Sequence, residues 1–319
     1  MHKYLRAIGF SEFERKSQID DLFQKNLIDK NLVSTYMSLD MRICGQYHIP
    51  VCDTAGIAVI AEQESNVPIS VDFYYPFLKG YDYTTIQECT IERHSDKECY
   101  AGIIDDYRMG IALIFYITNG NVYNSLLKTH KITDIKIDKI FLSALSISGR
   151  IILPINKKAS EYNDEIDVYE EEDDDDFDNG MAERLINEMG DYQDGLGTKA
   201  ISIGIGIKLP RGQVSDQESR LKNEDLYSIV ESSLVPYGIE CDKYQIMANI
   251  LSVNKKQNVL TGETLYEMRV DTMGLQFNLM INEKDLDGEP QVGRRFRGVV
   301  WLLGEVEFLT RVENKDQSV

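Results

Sequence analysis

The strongest constraint on this chain is a period of two that begins at Tyr244. Tyr244, Ile246, Ala248 and Ile250 alternate with Lys243, Gln245, Met247 and Asn249. The alternation returns in Tyr266, Met268 and Val270, and again in Leu275, Phe277, Leu279 and Ile281. Side chains along a strand point to opposite faces in turn, so each run reads as a strand with one buried face. Thr261-Gly262 and Met273-Gly274 separate the runs as turn residues. A final long strand pair is expected through Phe296 to Leu309. Short antiparallel strands sharing one apolar face predict a small closed barrel of OB or SH3-like type in this C-terminal part.

Earlier in the chain, Ser11-x-x-Glu14 and Ser17-x-x-Asp20 resemble helix starts, and Ile19, Leu22, Phe23, Asn26 and Leu27 follow helical spacing. One amphipathic helix is expected there. From about Thr35 to Ile155 the pattern becomes short β-rich runs: Ile57 to Ala61, Ser70 to Tyr75, Thr85 to Arg93, Glu98 to Ile104, Ile111 to Thr118 and Ile135 to Ser146. Their connections are too short for crossover helices, which predicts antiparallel pairing. The fold class read from the sequence is therefore α+β, mainly antiparallel sheets with a few amphipathic helices.

Between Glu161 and Asp178 stand twelve Asp or Glu and no Lys or Arg. This predicts a flexible acidic linker or insertion over 157–180, separating an α+β sheet domain at 1–156 from helices and a small barrel at 181–319. A helical stripe is expected at Met181, Ala182, Leu185, Ile186 and Met189. A second should carry Leu226, Ile229, Val230 and Leu234 and stop before Pro236.

The same segment explains the charge. The chain of 319 residues carries −19, and without those twelve carboxylates the remainder carries only −7. No broad basic surface for nucleic acid is expected. Cys44, Cys52, Cys89, Cys99 and Cys241 form a sparse, odd set, which predicts reduced thiols. Met1-His2-Lys3-Tyr4-Leu5-Arg6 contains no apolar stretch, and the longest apolar run, Ile111 to Ile117, is far shorter than a membrane span. The expectation is a cytoplasmic protein with no membrane partner.

Most motif-like patterns fail on geometry. Cys44, His48 and Cys52 have zinc-like spacing, but Gly45 and Pro50 disfavour a helix. Residues four apart on a strand are separated by about 13 Å, too far to share an ion. Cys89 and Cys99 flank a hairpin whose register decides whether they meet; a two-residue Ser95-Asp96 loop sets them on opposite faces, a three-residue Arg93-His94-Ser95 loop directly opposite each other. Gly204 and Gly206 lack the third glycine and the following helix of a phosphate loop, and Gly190 with Gly195 is not followed by Lys-Ser/Thr. Asp174, Asp176 and Asp178 are not followed by glycine and glutamate where a calcium loop needs them. His2, His48, His94 and His130 are scattered without a nucleophile. No metal or cofactor is expected.

The sharpest candidate is the terminal strand. Phe296, Val300, Leu302, Val306 and Phe308 form one face, with Arg295, Arg297, Trp301, Glu305 and Glu307 on the other. Arg295, Arg297 and Trp301 are the candidate ligand-binding residues, suited to an anionic or stacking ligand such as a nucleotide or a short single strand. The alternative pairs Arg295 and Arg297 with Glu305 and Glu307 across a hairpin and packs Trp301 into an interface.

Three stretches carry a resemblance: Met1-His2-Lys3-Tyr4-Leu5-Arg6-Ala7-Ile8-Gly9-Phe10, Val235-Pro236-Tyr237-Gly238-Ile239-Glu240, and the run from Asp285-Leu286-Asp287-Gly288-Glu289-Pro290 to Trp301-Leu302-Leu303-Gly304. Over nearly its whole length the chain resembles a family of uncharacterised proteins, a domain of unknown function, from anaerobic gut bacteria. That resemblance brings no activity, cofactor or catalytic residue. The functional expectation is a noncatalytic binding or interaction protein, partnered by another protein or by copies of itself. An Asp/Glu-dependent hydrolase and a self-associating structural protein stand as alternatives.

Overall fold

The computed structural model describes residues 2–38, 40–65, 67–83, 89–93, 99–106, 110–130, 135–152 and 232–310. The acidic run, Gly204 with Gly206, the stripe from Met181 to Met189 and the Ser95-Asp96 loop lie outside them. Residues 1–155 and 226–319 form one compact unit.

The fold is mostly β-sheet with few helices. Strands β1 (Leu32–Met37), β2 (Ile43–Pro50), β3 (Ala55–Glu64) and β4 (Val67–Leu78) make a four-stranded antiparallel meander. The larger sheet has eleven strands: β5 (Tyr81–Tyr83), β6 (Cys89–Arg93), β7 (Tyr100–Asp106), β8 (Ile111–Ile117), β9 (Ile135–Ile152), β10 (Ser233–Pro236), β11 (Lys243–Gln257), β12 (Thr264–Thr272), β13 (Leu275–Asn282), β14 (Leu286–Asp287) and β15 (Arg295–Thr310). Its pairings run β11–β12–β13–β9–β15, and β15 pairs with β11 again. Strands from before and after the acidic run thus share hydrogen bonds. The β13–β9 and β15–β8 seams are parallel, and the other long pairings are antiparallel.

The period-two pattern is realised. Tyr244, Ile246, Ala248, Ile250, Met268, Val270, Leu275, Phe277, Leu279 and Ile281 all enter one core, together with Ile140, Leu142 and Ala144 of β9 and Phe296, Val300, Leu302 and Val306 of β15. Met273 and Gly274 take positive φ of 55° and 82°, the backbone of a tight hairpin that glycine favours. The opposite faces are buried too. Leu145, Leu265, Met280, Trp301 and Leu303 form a second core with Tyr47, Ile49, Ile57, Val59 and Leu78 of the smaller sheet. Between the sheets lies a 3-10 segment, Lys3–Ile8, which contributes Tyr4, Leu5, Ala7 and Ile8.

Two helices are described, α1 (Lys16–Asn26) and α2 (Gly120–Thr129). In α1, Ile19 and Phe23 are buried as their spacing requires, but the start is set by Gln18, whose Oε1 accepts from the Glu14 and Arg15 amides. Two expectations are corrected. Leu234 lies in β10, not in a helix, because Ser233–Pro236 pairs antiparallel with Tyr244–Met247. Phe296 to Leu309 is one continuous strand, not a pair, because β15 has β9 and β11 as its neighbours.

Candidate functional site

That single strand separates the three sequence candidates. Arg295 is buried, opposite Ile152 and Asn249, with its Nη1 3.5 Å from the Met247 sulfur. Trp301 is 5% exposed; its Nε1 donates to Asp242 Oδ2 at 2.7 Å, and His2, Tyr4 and Tyr116 surround the ring. Burial and the nearby Lys3 and Lys243 lower His2 to about 4, so this imidazole is neutral at neutral pH. Arg297 alone reaches a groove. Glu305 and Glu307 are exposed further along the same strand, opposite Phe141 and Lys139, so they do not face the arginines.

The groove, about 740 Å³, opens where β9 bulges. Gly298 pairs with Gly149 and Val300 with Ser146, so Ile147 and Ser148 together oppose Val299. The Ser146 hydroxyl bridges the irregularity, 3.0 Å from the Ser148 carbonyl and 2.9 Å from that of Val299. A Cβ on Gly149 would lie 2.3 Å from the Phe296 ring, and one on Gly298 2.6 Å from the Ser148 carbonyl. Glycine is required at both positions by close approach, not by unusual φ.

Just beyond the bulge Arg297 stands directly opposite Arg150. Directly opposed residues bring their Cβ atoms to about 5 Å, where like charges repel. Arg150 is exposed and pairs with Asp287 at 3.0 Å. Tyr237, 48% exposed, lines the same groove with Ser148, Gln245 and Lys284. The groove lining brings together two guanidinium groups, one of them also bonded to Asp287, with an accessible aromatic ring and a side-chain amide, residue types suited to an oxyanion attached to a planar group. Its two carboxylates are engaged, Asp285 by Arg6 and Asp287 by Arg150.

The chain matches, over residues 5–175 and 213–304, the family model described as domain of unknown function, E. rectale gene description (DUF3881). The chain belongs to this family. The resemblance read from the three sequence stretches therefore holds, and Arg150, Tyr237, Gln245, Lys284, Asp287 and Arg297 all lie within the matched segments of DUF3881. Comparisons with curated proteins and with solved structures find no match.

The remaining sequence candidates occupy separate places. Cys44 lies on β2 near Asp72, and the ring of His48 on the same strand lies tilted against Phe77 with centroids 4.5 Å apart. Cys52 neighbours Thr54. Among the described residues no three His, Cys, Asp or Glu side chains are grouped to hold a metal ion. Cys89 pairs with Ile104 in a register matching neither loop considered. Sequence reasoning missed Arg150 and Tyr237. An isolated Gly149-Arg150 at the end of a long apolar run was the available signal, but its partner lies almost 150 residues away.

Proposed function

We propose that this protein is a noncatalytic binding module whose ligand is a small anion carrying a planar group, held in the groove at the β9 bulge. Arg150 and Arg297 take the oxyanion, and Tyr237 stacks on the planar part. The observation that carries this reading is the directly opposed arginine pair in the lining of a polar groove, two guanidinium forks close enough to take one oxyanion together. A net charge of −19, and of −7 outside the acidic run, weighs against a polyanionic strand and favours a mononucleotide.

The pairing ring β11–β12–β13–β9–β15 supports a small closed barrel of OB type, with β9 as a strand borrowed from ahead of the acidic run. The same pairing favours reading 157–180 as an insertion. A cytoplasmic setting is consistent with the absence of any disulfide among the five cysteines. Hydrolysis gains no support from the groove, because both its carboxylates are held in ion pairs.

The test is equilibrium dialysis and thermal shift with adenosine monophosphate, inorganic phosphate and a ten-residue oligothymidylate. Adenosine monophosphate is expected to bind most tightly, and the double variant R150A/R297A to lose that binding. Failure of all three anions to bind overturns the reading.

Self-association is a second reading. Edge strand β4 exposes Val67, Ile69 and Val71, an apolar row that edge strands seldom leave open. Light scattering that finds only monomer at high concentration removes it.

A further inference from the structure

The groove and the N-terminal segment share one wall, residues 284–287. On one side, Asp285 receives Arg6 through Nε at 2.7 Å to both carboxylate oxygens and through Nη2 at 2.6 Å. Lys284 Nζ reaches Glu12 at 2.9 Å, Ser11 at 3.1 Å and Glu263 at 3.1 Å. On the other side, Lys284, Asp285, Leu286 and Asp287 line the groove. Leu286–Asp287 pairs in parallel with Gly149–Arg150, and Asp287 bonds Arg150. Only Leu286, itself paired with Gly149, stands between the two roles: Asp285 and Asp287 are two positions apart.

We propose that ligand binding in the groove and docking of the N-terminal segment are coupled through this wall, each strengthening the other. The proposal rests on the groove reading above. Its sign follows from two opposed effects. Releasing the segment would uncover Asp285, a carboxylate only 7% exposed whose charge Arg6 neutralises beside the groove; an anion would then meet an uncompensated negative charge. Release would also loosen Lys284 from Glu12, which by itself favours an anion. The second effect is the smaller, because Lys284 is 47% exposed and keeps Glu263, which lies outside the segment. Docking therefore raises anion affinity, and by linkage the anion tightens docking.

The reciprocal measurement uses the unaltered protein. The amides of Leu5, Gly9 and Phe10 bond within the segment to His2, Arg6 and Leu5 carbonyls. At saturating adenosine monophosphate their hydrogen exchange should slow by about tenfold, and Arg6→Ala should weaken dialysis-measured binding by a similar factor. Binding that leaves both the exchange and the Arg6→Ala affinity unchanged overturns the coupling while the groove reading stands. Absence of binding overturns both. Should Arg6→Ala fail to fold, the exchange measurement on the unaltered protein decides alone.

Discussion

The indole N–H of Trp301 donates to the Asp242 carboxylate at 2.7 Å, and Tyr4 of the N-terminal segment stacks on the same ring with centroids 5.2 Å apart. The chain has one tryptophan, so its indole fluorescence reports the surroundings of Trp301. Trp301→Phe keeps most of the apolar contact but removes the donor from a carboxylate that is 7% exposed. It should destabilise the fold by about 1–3 kcal/mol in urea unfolding followed by circular dichroism. A value within error of zero would show that Asp242 needs no indole.

Two half-buried imidazoles make the fold sensitive to acid. Burial, aided by Lys3 and Lys243, lowers His2 to about 4, and burial alone lowers His48 to about 4. The unfolded chain takes up these protons near 6.5, whereas the folded one does so only near 4. Their contribution to stability is whole above about pH 6.5 and falls as the pH drops toward 4, by at most about 1.4 kcal/mol per pH unit for each histidine. His48→Gln should make the decline shallower; an unchanged slope would assign the acid sensitivity elsewhere.

Glu263 adds a second acid-sensitive contact. Burial opposes its charge, but hydrogen bonds from Ser11, Lys284 and Asn282 overcome that and hold its carboxyl below the ordinary glutamate range. Its contribution is present above that ordinary range and is lost as the pH falls through the lowered value. Glu263→Gln should remove this contribution and leave a milder pH dependence, read from denaturation midpoints between pH 6 and 3.

How much of this was legible beforehand follows from range. Tyr244 to Ile281 declared its strands because alternation is local, and Ile19 with Phe23 declared α1 for the same reason. Helix α2 carried a usable signal in Tyr123 and Leu127, both now against the larger core, but Asn119-Gly120-Asn121 reads as a turn and masks the helix start. The groove was not legible. Arg297 faces Arg150 only because β9 and β15 are adjacent, and no local period encodes adjacency across so long a separation in sequence. Arg295 and Trp301 shared the parity of Arg297, yet they ended in burial because the N-terminal segment and neighbouring strands cover that face unevenly.

The opposed arginines imply a trade between stability and binding. Arg297→Glu places a carboxylate opposite Arg150 and should hold or raise stability by about 0.5 kcal/mol, while abolishing capture of adenosine monophosphate. A marked loss of stability would mean that Arg297 serves the fold.

Bare backbone at the bulge is equally testable. Gly298→Ala sets a methyl group 2.6 Å from the Ser148 carbonyl, a backbone atom that cannot swing aside. A cost of about 1–3 kcal/mol and a distorted groove are expected, measured by urea unfolding and by dialysis. Gly238→Ala is the control for added bulk, since nothing lies within 4 Å of its Cβ position; its φ of 74° leaves only a backbone cost.

The place of β15 governs how this protein is made. It is the last strand to leave the ribosome among those described, yet it sits between β8, β9 and β11 in the interior of the sheet. Until it emerges, the nascent chain leaves unpaired the edges of β8 and of the eighteen-residue β9 that β15 will occupy. Completion of the sheet thus waits for residues 295–310 to emerge, and a ribosome stalled before Arg295 would hold an adhesive intermediate that calls for chaperone cover.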